Sequence, residues 1–255
     1  MKLNVALLPR LLSDPRFHIC AVIDVLRATS SIVTLVANDN NVELAATTAL
    51  ARRIAAESEH RYVLCGEVGG LRPRGFDYGN SPSEFATLDT FDDPVLLATT
   101  NGTRAMRSVA TAPAVFVAAL LNATAATRAL LLEAKTRGLD AALVCSGLEQ
   151  GRTFSLEDTF TAGAMVDQAV KLASEHGIDL DPADSAVDAL RLYRSYRGDA
   201  LAAFRQAQHG QSLIAIGLER DLAFCAQADR YDIVPRLFDN DRASQTLRLS
   251  ADRQA

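Results

Sequence analysis

Four stretches of this chain concentrate residue types that handle oxyanions: IDVLRATSS (23 to 31), CGEVGGLRPRGFDYGNSP (65 to 82), TTNGTRAM (99 to 106) and CSGLEQGRTFSLEDT (145 to 159). In the first, Asp24 interrupts an apolar run. A carboxylate there must be hydrogen-bonded, ion-paired or metal-bound, because burying it alone is costly. Arg27, Thr29 and Ser30 follow it, so an ion pair with Arg27 and a metal are both open readings. The second stretch is a long glycine- and proline-rich loop with Glu67, Arg72, Arg74, Asp77 and Asn80. Loops of this length inside compact domains are usually functional or disordered. This one runs into Ser81-Pro82-Ser83-Glu84, a capping box with proline at the first helical position, which favours order and assigns Ser81 and Glu84 to the cap.

The third stretch poses a choice, because Asn101-Gly102 is a strong hairpin signal, yet RAMRSVAT after it has helical spacing. If 94 to 99 is a parallel strand and Thr103 begins a helix, Gly102 lets the backbone approach a ligand closely and the free N–H groups form an anion site. Thr99, Thr100 and Thr103 add hydroxyls, and Arg104 can fork two hydrogen bonds onto a phosphate or carboxylate. An ordinary loop and helix cap is the alternative. In the fourth stretch Ser155-x-x-Asp158 is itself a capping pattern, whereas Glu149 and Arg152 lie in a turn with little apolar content, as a binding loop would.

These stretches must be held at one place, and the pattern between them says how. Apolar runs at 3 to 8, 18 to 26, 61 to 65, 94 to 99, 114 to 119, 140 to 145 and 231 to 237 read as strands, with helical spacing near 30 to 38, 43 to 58, 82 to 90, 103 to 110, 122 to 137 and 156 to 175. The fold class expected is α/β, a three-layer α/β/α sandwich with a mostly parallel, mixed sheet. Ligands of such sheets bind beyond the carboxyl ends of the strands, where all four stretches fall. Residues 1 to 240 are expected to form a single domain, with 182 to 228 as a helical insertion or lobe and 241 to 255 as a C-terminal tail.

Composition removes several classes. The chain has 255 residues, 49% of them hydrophobic, and a net charge of -5 with no basic run, which speaks against nucleic acid. No apolar stretch approaches a membrane span or a signal-peptide core, so a cytoplasmic protein with no membrane partner is expected. Cys20, Cys65, Cys145 and Cys225 form no C-x-x-C pair and are expected to be free, mostly buried thiols. All basic residues except Lys2, Lys135 and Lys171 are arginine, so one arginine alone signals little. The four histidines lie outside the four stretches, against a Ser-His-Asp relay. Cys145 and Arg152 are one residue too far apart for a cysteine-phosphatase loop, Leu26 stands where a haloacid-dehalogenase motif needs Asp, and the P-loop pattern is absent. Carboxylates, arginines and backbone donors remain, a set suited to magnesium and phosphate.

IDVLRATSSIV, CGEVGGLRPRGFDYGNSP, TTNGTRAM, CSGLEQGRTFSLEDTFTAGA and the G-x-x-x-D-x-x-x-C stretch from Gly217 to Cys225 together resemble the 2-phosphosulfolactate phosphatase (ComB) family. The resemblance implies a Mg2+-dependent phosphatase acting on phosphate esters of 2-hydroxy carboxylic acids, a family that serves coenzyme M synthesis in methanogens. A substrate with phosphate, carboxylate and sulfonate carries about four negative charges and calls for a cation and several arginines. On this reading Asp24 and Glu67 hold the metal, with Asp77 or Asp158 as a further ligand. Thr100, Asn101, Gly102 and Thr103 cradle the phosphate, while Arg27, Arg104 and Arg152 take the remaining oxygens. Asp24, Arg27, Glu67, Asn101 and Arg152 carry the catalysis, and Thr29, Asn80 and Glu149 join the substrate contacts. Either a metal-activated water attacks phosphorus, or Asp24 does so through an aspartyl-phosphate. A non-catalytic anion-binding protein and another small-molecule enzyme, a lyase or phosphotransferase, are the competing readings. A lid or a subunit interface, the latter implying a homodimer, is the role open to residues 182 to 228.

Overall fold

The computed structural model describes residues 1 to 241 and 246 to 252. The chain forms an α/β sandwich around a ten-stranded sheet of order β4-β5-β3-β10-β9-β6-β2-β7-β1-β8. Its strands are β1 (Lys2–Ala6), β2 (His18–Ile23), β3 (Val42–Ala45), β4 (Val63–Gly66), β5 (Val95–Ala98), β6 (Val115–Ala118), β7 (Asp140–Cys145), β8 (Asp181–Pro182), β9 (Val234–Asp241) and β10 (Thr246–Asp252). One parallel block, β4-β5-β3, and another, β6-β2-β7-β1-β8, are joined by the antiparallel pair β9-β10. Phe116 registers with Arg236 where β6 meets β9.

Strand β2 is continuously apolar because it is covered on both faces: Ile19, Cys20, Ala21, Val22 and Ile23 are fully buried. Each of its valine and isoleucine side chains contributes about 1.5–3 kcal/mol by leaving water. The helices that matter for the site are α1 (Ala28–Ala37), after β2; α2 (Thr48–Glu57), after β3; α3 (Pro82–Phe85), after the long loop; α4 (Asn101–Ser108), after β5; α5 (Ala123–Arg137), after β6; and α6 (Leu156–Glu175), after β7. Then come α7 (Asp184–Ser195), α8 (Ala200–Gln206), α9 (Gln208–Ala215) and α10 (Glu219–Cys225), the expected helical lobe. The lobe docks on α6 through Phe160, whose ring meets Tyr193, Tyr196 and Phe204 edge-on at 5.2, 5.8 and 5.9 Å.

Two expectations change. Val42–Ala45 is strand β3 rather than the start of a helix at 43; helix α2 begins only after Thr47, whose hydroxyl accepts the Leu50 N–H at 3.1 Å. The local composition ELAATTALARR favours helix, and pairing with β5 and β10 overrides it. The expected tail instead carries β10, seated inside the sheet between β3 and β9; its residues 242 to 245 and 253 to 255 lie outside the described ones. Of the two readings open at Asn101-Gly102, the structure bears out the helix start: these residues form the first turn of α4, two residues earlier than expected. The four cysteines are free and buried.

Candidate functional site

Arg27 stands where β2 turns into α1, and its side chain is fully buried. One terminal nitrogen donates to Asp221 at 2.8 Å, and the other donates to Glu67 at 2.6 Å and to the Gly70 carbonyl at 2.7 Å. Asp221, in α10 of the lobe, is equally buried and accepts hydrogen bonds from the Ser81 hydroxyl at 2.7 Å and from the Ser83 hydroxyl. One guanidinium thus ties the end of β2, the loop after β4, the start of α3 and the lobe. Burial makes these bonds strong and their loss expensive. The Nε of Arg27 is buried without a partner, as are both amide atoms of Asn80.

Asp24 closes on its own loop: its N–H donates to the Thr29 hydroxyl at 3.1 Å and its carbonyl accepts the Thr29 N–H at 2.9 Å. Burial, and then the charges of Asp158, Glu67 and Glu157, push its carboxyl well above the usual carboxylate range, against a hydrogen bond from the Ala28 N–H. Asp158 lies at the first turn of α6. Burial pushes it up to about 6, while the Val25 N–H at 2.9 Å, the Ser146 hydroxyl at 3.0 Å and the Gly147 N–H at 3.3 Å pull the other way. Ser155 does cap α6, accepting the Asp158 N–H at 3.2 Å, so the capping pattern and the site role coexist in one residue. Glu157 is pushed up to about 8 by burial and by Asp158, and its Oε2 has no partner. Asp24, Asp158 and Glu157 are thus buried with raised carboxyls, while Glu67, whose charge adds to the rise at Asp24, is paired with Arg27.

The helix α4 begins directly against this group. Thr100 at its N-cap makes no side-chain capping bond, which leaves the first-turn N–H groups without that acceptor. A methyl on Gly102 would lie 2.9 Å from the Ala28 Cβ and 3.0 Å from an Asp24 carboxylate oxygen, so only glycine lets the helix start approach Asp24. Thr103 is buried, with its hydroxyl 3.2 Å from that of Thr99. Asn101 accepts the Gln150 N–H at 3.0 Å, and Arg104 donates to the Gln150 side chain at 3.2 Å, docking the turn after β7 onto α4. Within that turn Glu149 and Gln150 hold left-handed φ angles of 50° and 64°, a conformation that costs non-glycine residues about 1–3 kcal/mol each and gathers at ligand sites. Arg152 donates to the Glu149 carbonyl at 3.1 Å and Thr153 donates to the Glu149 carboxylate at 2.9 Å. A cavity of about 460 Å³ opens here, lined by Asn101, Arg104, Ser146 and Arg152 among others.

Mg2+ takes hard oxygen ligands, binds through one or two carboxylates and keeps several waters. Among the described residues no three acidic, histidine or cysteine side chains converge into a cage for a metal. A buried acidic group with raised carboxyls, led by Asp24 and Asp158, is nevertheless the oxygen-rich, cation-short donor set that a water-retaining Mg2+ fits.

Comparison with known proteins agrees with this geometry. A family model described as 2-phosphosulpholactate phosphatase matches residues 7 to 240. The chain belongs to that family. A relative from Pseudothermotoga lettingae is 36% identical over 248 residues, covering 94% of this chain and 97% of its own; one from Synechocystis is 38% identical over 242 residues, 92% and 96%; one from Symbiobacterium thermophilum is 36% identical over 221 residues, 86% and 90%. Each is described as "Probable 2-phosphosulfolactate phosphatase". This member of the 2-phosphosulfolactate phosphatase family is accordingly a phosphatase.

Of the residues singled out in the sequence, Asp24, Arg27, Thr29, Glu67, Asp158 and the Thr100 to Thr103 turn come together, and Arg104, Glu149 and Arg152 line the adjoining rim. Asp77 does not join them. It accepts the Leu64 N–H at 2.8 Å and faces Arg61 at 3.9 Å, closing the sheet's outer strand β4, because its chain position is spent on returning the long loop alongside that strand. Glu157, offered by the fourth stretch beside Asp158, was given no role there, and one residue of the lobe was missed altogether. His209, on α9, is brought by the lobe to Glu67 and Arg27, where burial pulls its pKa down, Glu67 acts to raise it and Arg27 to lower it. No local motif marks it.

Proposed function

We propose that this phosphatase hydrolyses the phosphate ester of a small 2-hydroxy acid, 2-phosphosulfolactate being the ester its relatives' descriptions point to, with Mg2+ as cofactor. What carries the reading is the convergence of Asp24, Asp158 and Glu67, the buried Arg27 and the uncapped start of α4 on one rim. On this reading Asp24 and Asp158 hold Mg2+, with Glu67 alongside. The cation supplies Lewis-acid stabilisation of developing negative charge.

The chain's own groups do the rest. The first-turn N–H groups of α4, with the Thr100 hydroxyl, hold the phosphoryl oxygens, where the positive helix end stabilises the transition-state charge. The unpartnered Nε of Arg27 and the amide of Asn80 supply further donors. Attack on phosphorus forms one P–O bond as the ester P–O bond breaks, and the departing alkoxide takes up a proton to give the 2-hydroxy acid. The attacking oxygen belongs to water or to Asp24. In the second case an acyl phosphate forms and is then hydrolysed.

Phosphate release from 2-phosphosulfolactate and 2-phospholactate, with Mg2+ and with EDTA, tests the reading. Release is expected only with Mg2+ and is expected to fall by more than about a hundredfold in Asp24→Asn. A rate within a few-fold of wild type in that variant overturns the site assignment. Quenching early and treating with hydroxylamine separates the two attacking groups, since only an acyl phosphate is cleaved.

A further inference from the structure

Beside the acidic group, the cavity already noted is bounded by α4, by the turn at 148 to 153 and by the short turn after β1. That last segment brings in Arg10. Three guanidiniums, those of Arg10, Arg104 and Arg152, line one cavity, and each bonds only to a neutral oxygen: the Gly151 carbonyl at 2.7 Å, the Gln150 amide at 3.2 Å and the Glu149 carbonyl at 3.1 Å. Among the described residues none of the three has an ion-pair partner, whereas Arg27 has two carboxylates. Three like charges brought to one cavity from three segments repel one another, so in a chain of net charge -5 they are a preformed receptor for an anion.

The same cavity is lined by Asn101, the first residue of α4, and by Ser146, which donates to Asp158. Leu12 and Ala105 give the walls an apolar part. A short molecule whose phosphate lies at the α4 start therefore extends its carbon skeleton over apolar wall toward the arginines. We infer that this cavity receives the second acidic group of the substrate, a carboxylate or sulfonate, and that Arg10 determines specificity for esters that carry one. The inference rests on the reading proposed above and deepens it. Arg10 contacts the acidic arm and not the reacting phosphorus, so its effect falls on KM for acid-bearing esters.

The test compares 2-phospholactate with isopropyl phosphate, the same ester with methyl in place of carboxylate, in wild type, Arg10→Ala and Arg10→Lys. Arg10 is exposed and bonds only to a carbonyl, so the variants are expected to fold, which circular dichroism checks. In Arg10→Ala, KM for 2-phospholactate is expected to rise about tenfold or more, as for loss of a charge-assisted hydrogen bond, with kcat little changed and isopropyl phosphate unaffected. Arg10→Lys is expected to recover part of the loss. Equal changes for both esters, or none for either, overturn the inference. Calorimetry with sulfolactate, the acid without its phosphate, reads the cavity directly: binding that weakens about tenfold in Arg10→Ala supports the assignment, and binding that does not change refutes it. Turnover of neither ester by wild type together with Arg10-dependent sulfolactate binding refutes the phosphatase substrate reading and leaves the anion receptor standing.

Discussion

Replacing Asp221 with asparagine tests whether the lobe is locked to the site through a single buried charge pair. Asp221 and Arg27 both have 0% exposed side chains, and the two Asp221 oxygens are divided between partners: one takes Arg27 at 2.8 Å, the other Ser81 and Ser83. An amide presents one oxygen and one NH2 group to these partners. With its oxygen on Arg27, the NH2 group meets the Ser81 and Ser83 hydroxyls, which turn to accept, so what is lost is the negative charge facing the buried guanidinium. Removing one member of a buried pair costs about 3–5 kcal/mol. Arg27 keeps Glu67 and the Gly70 carbonyl, which places Asp221→Asn near the lower end, about 3 kcal/mol. For a chain of this size each kcal/mol shifts Tm by about 2–4 °C, so a fall of roughly 6–12 °C is expected in calorimetry. Arg27 also loses its orientation, and kcat for phosphate release is expected to drop at least about tenfold. A Tm within about 2 °C of wild type in Asp221→Asn refutes the reasoning, since that is less than 1 kcal/mol.

Other outcomes follow from single contacts. In Gly102→Ala, helix propensity alone favours alanine by about 1 kcal/mol; the clash with Ala28 and Asp24 is expected to win, giving a lower Tm and a phosphate-release rate reduced at least about tenfold. Asp77→Ala is expected to lose about 1 kcal/mol, the hydrogen bond to the Leu64 N–H, while the Mg2+ concentration for half-maximal activity stays at the wild-type value; a shift there restores Asp77 to the metal. Asp167 is held below its usual pKa mainly by its bond to Lys171, and also by Arg194, joining α6 to α7. A carboxyl depressed in the folded state stabilises above its unfolded pKa and stops doing so as pH falls through the folded one. The Tm difference between wild type and Asp167→Asn is therefore expected to be small and positive near neutrality and to narrow below about pH 4.

The fold class could be read because the buried strands are nearly uninterrupted apolar runs, as in HICAVI, and because glycine and proline mark the turns between them. Strand β3 was not legible: four residues, VELA, are too short to carry a period, and their strand state comes from neighbours distant in sequence. The site was legible where a polar residue stood out against an apolar background, as Asp24 and Asn101 do. Asp77 misled because a carboxylate in a rich loop looks the same whether it meets an ion or a backbone N–H. Arg10 and His209 gave no signal because each reaches the site only through tertiary packing, Arg10 from the turn after β1 and His209 from the lobe.

The placement of β10 has a bearing on how the molecule is made. The strand that stitches the two parallel blocks together leaves the ribosome after every strand it joins. Until then β3 exposes an open edge, the kind of surface that pairs with foreign strands. Closing the sheet demands contacts between residues about two hundred positions apart, such as Leu247 with Leu44, and pairings of such long span form slowly. During synthesis the two parallel blocks therefore share no strand, and stoppage short of Thr246 yields a product in which β3 lacks its β10 partner.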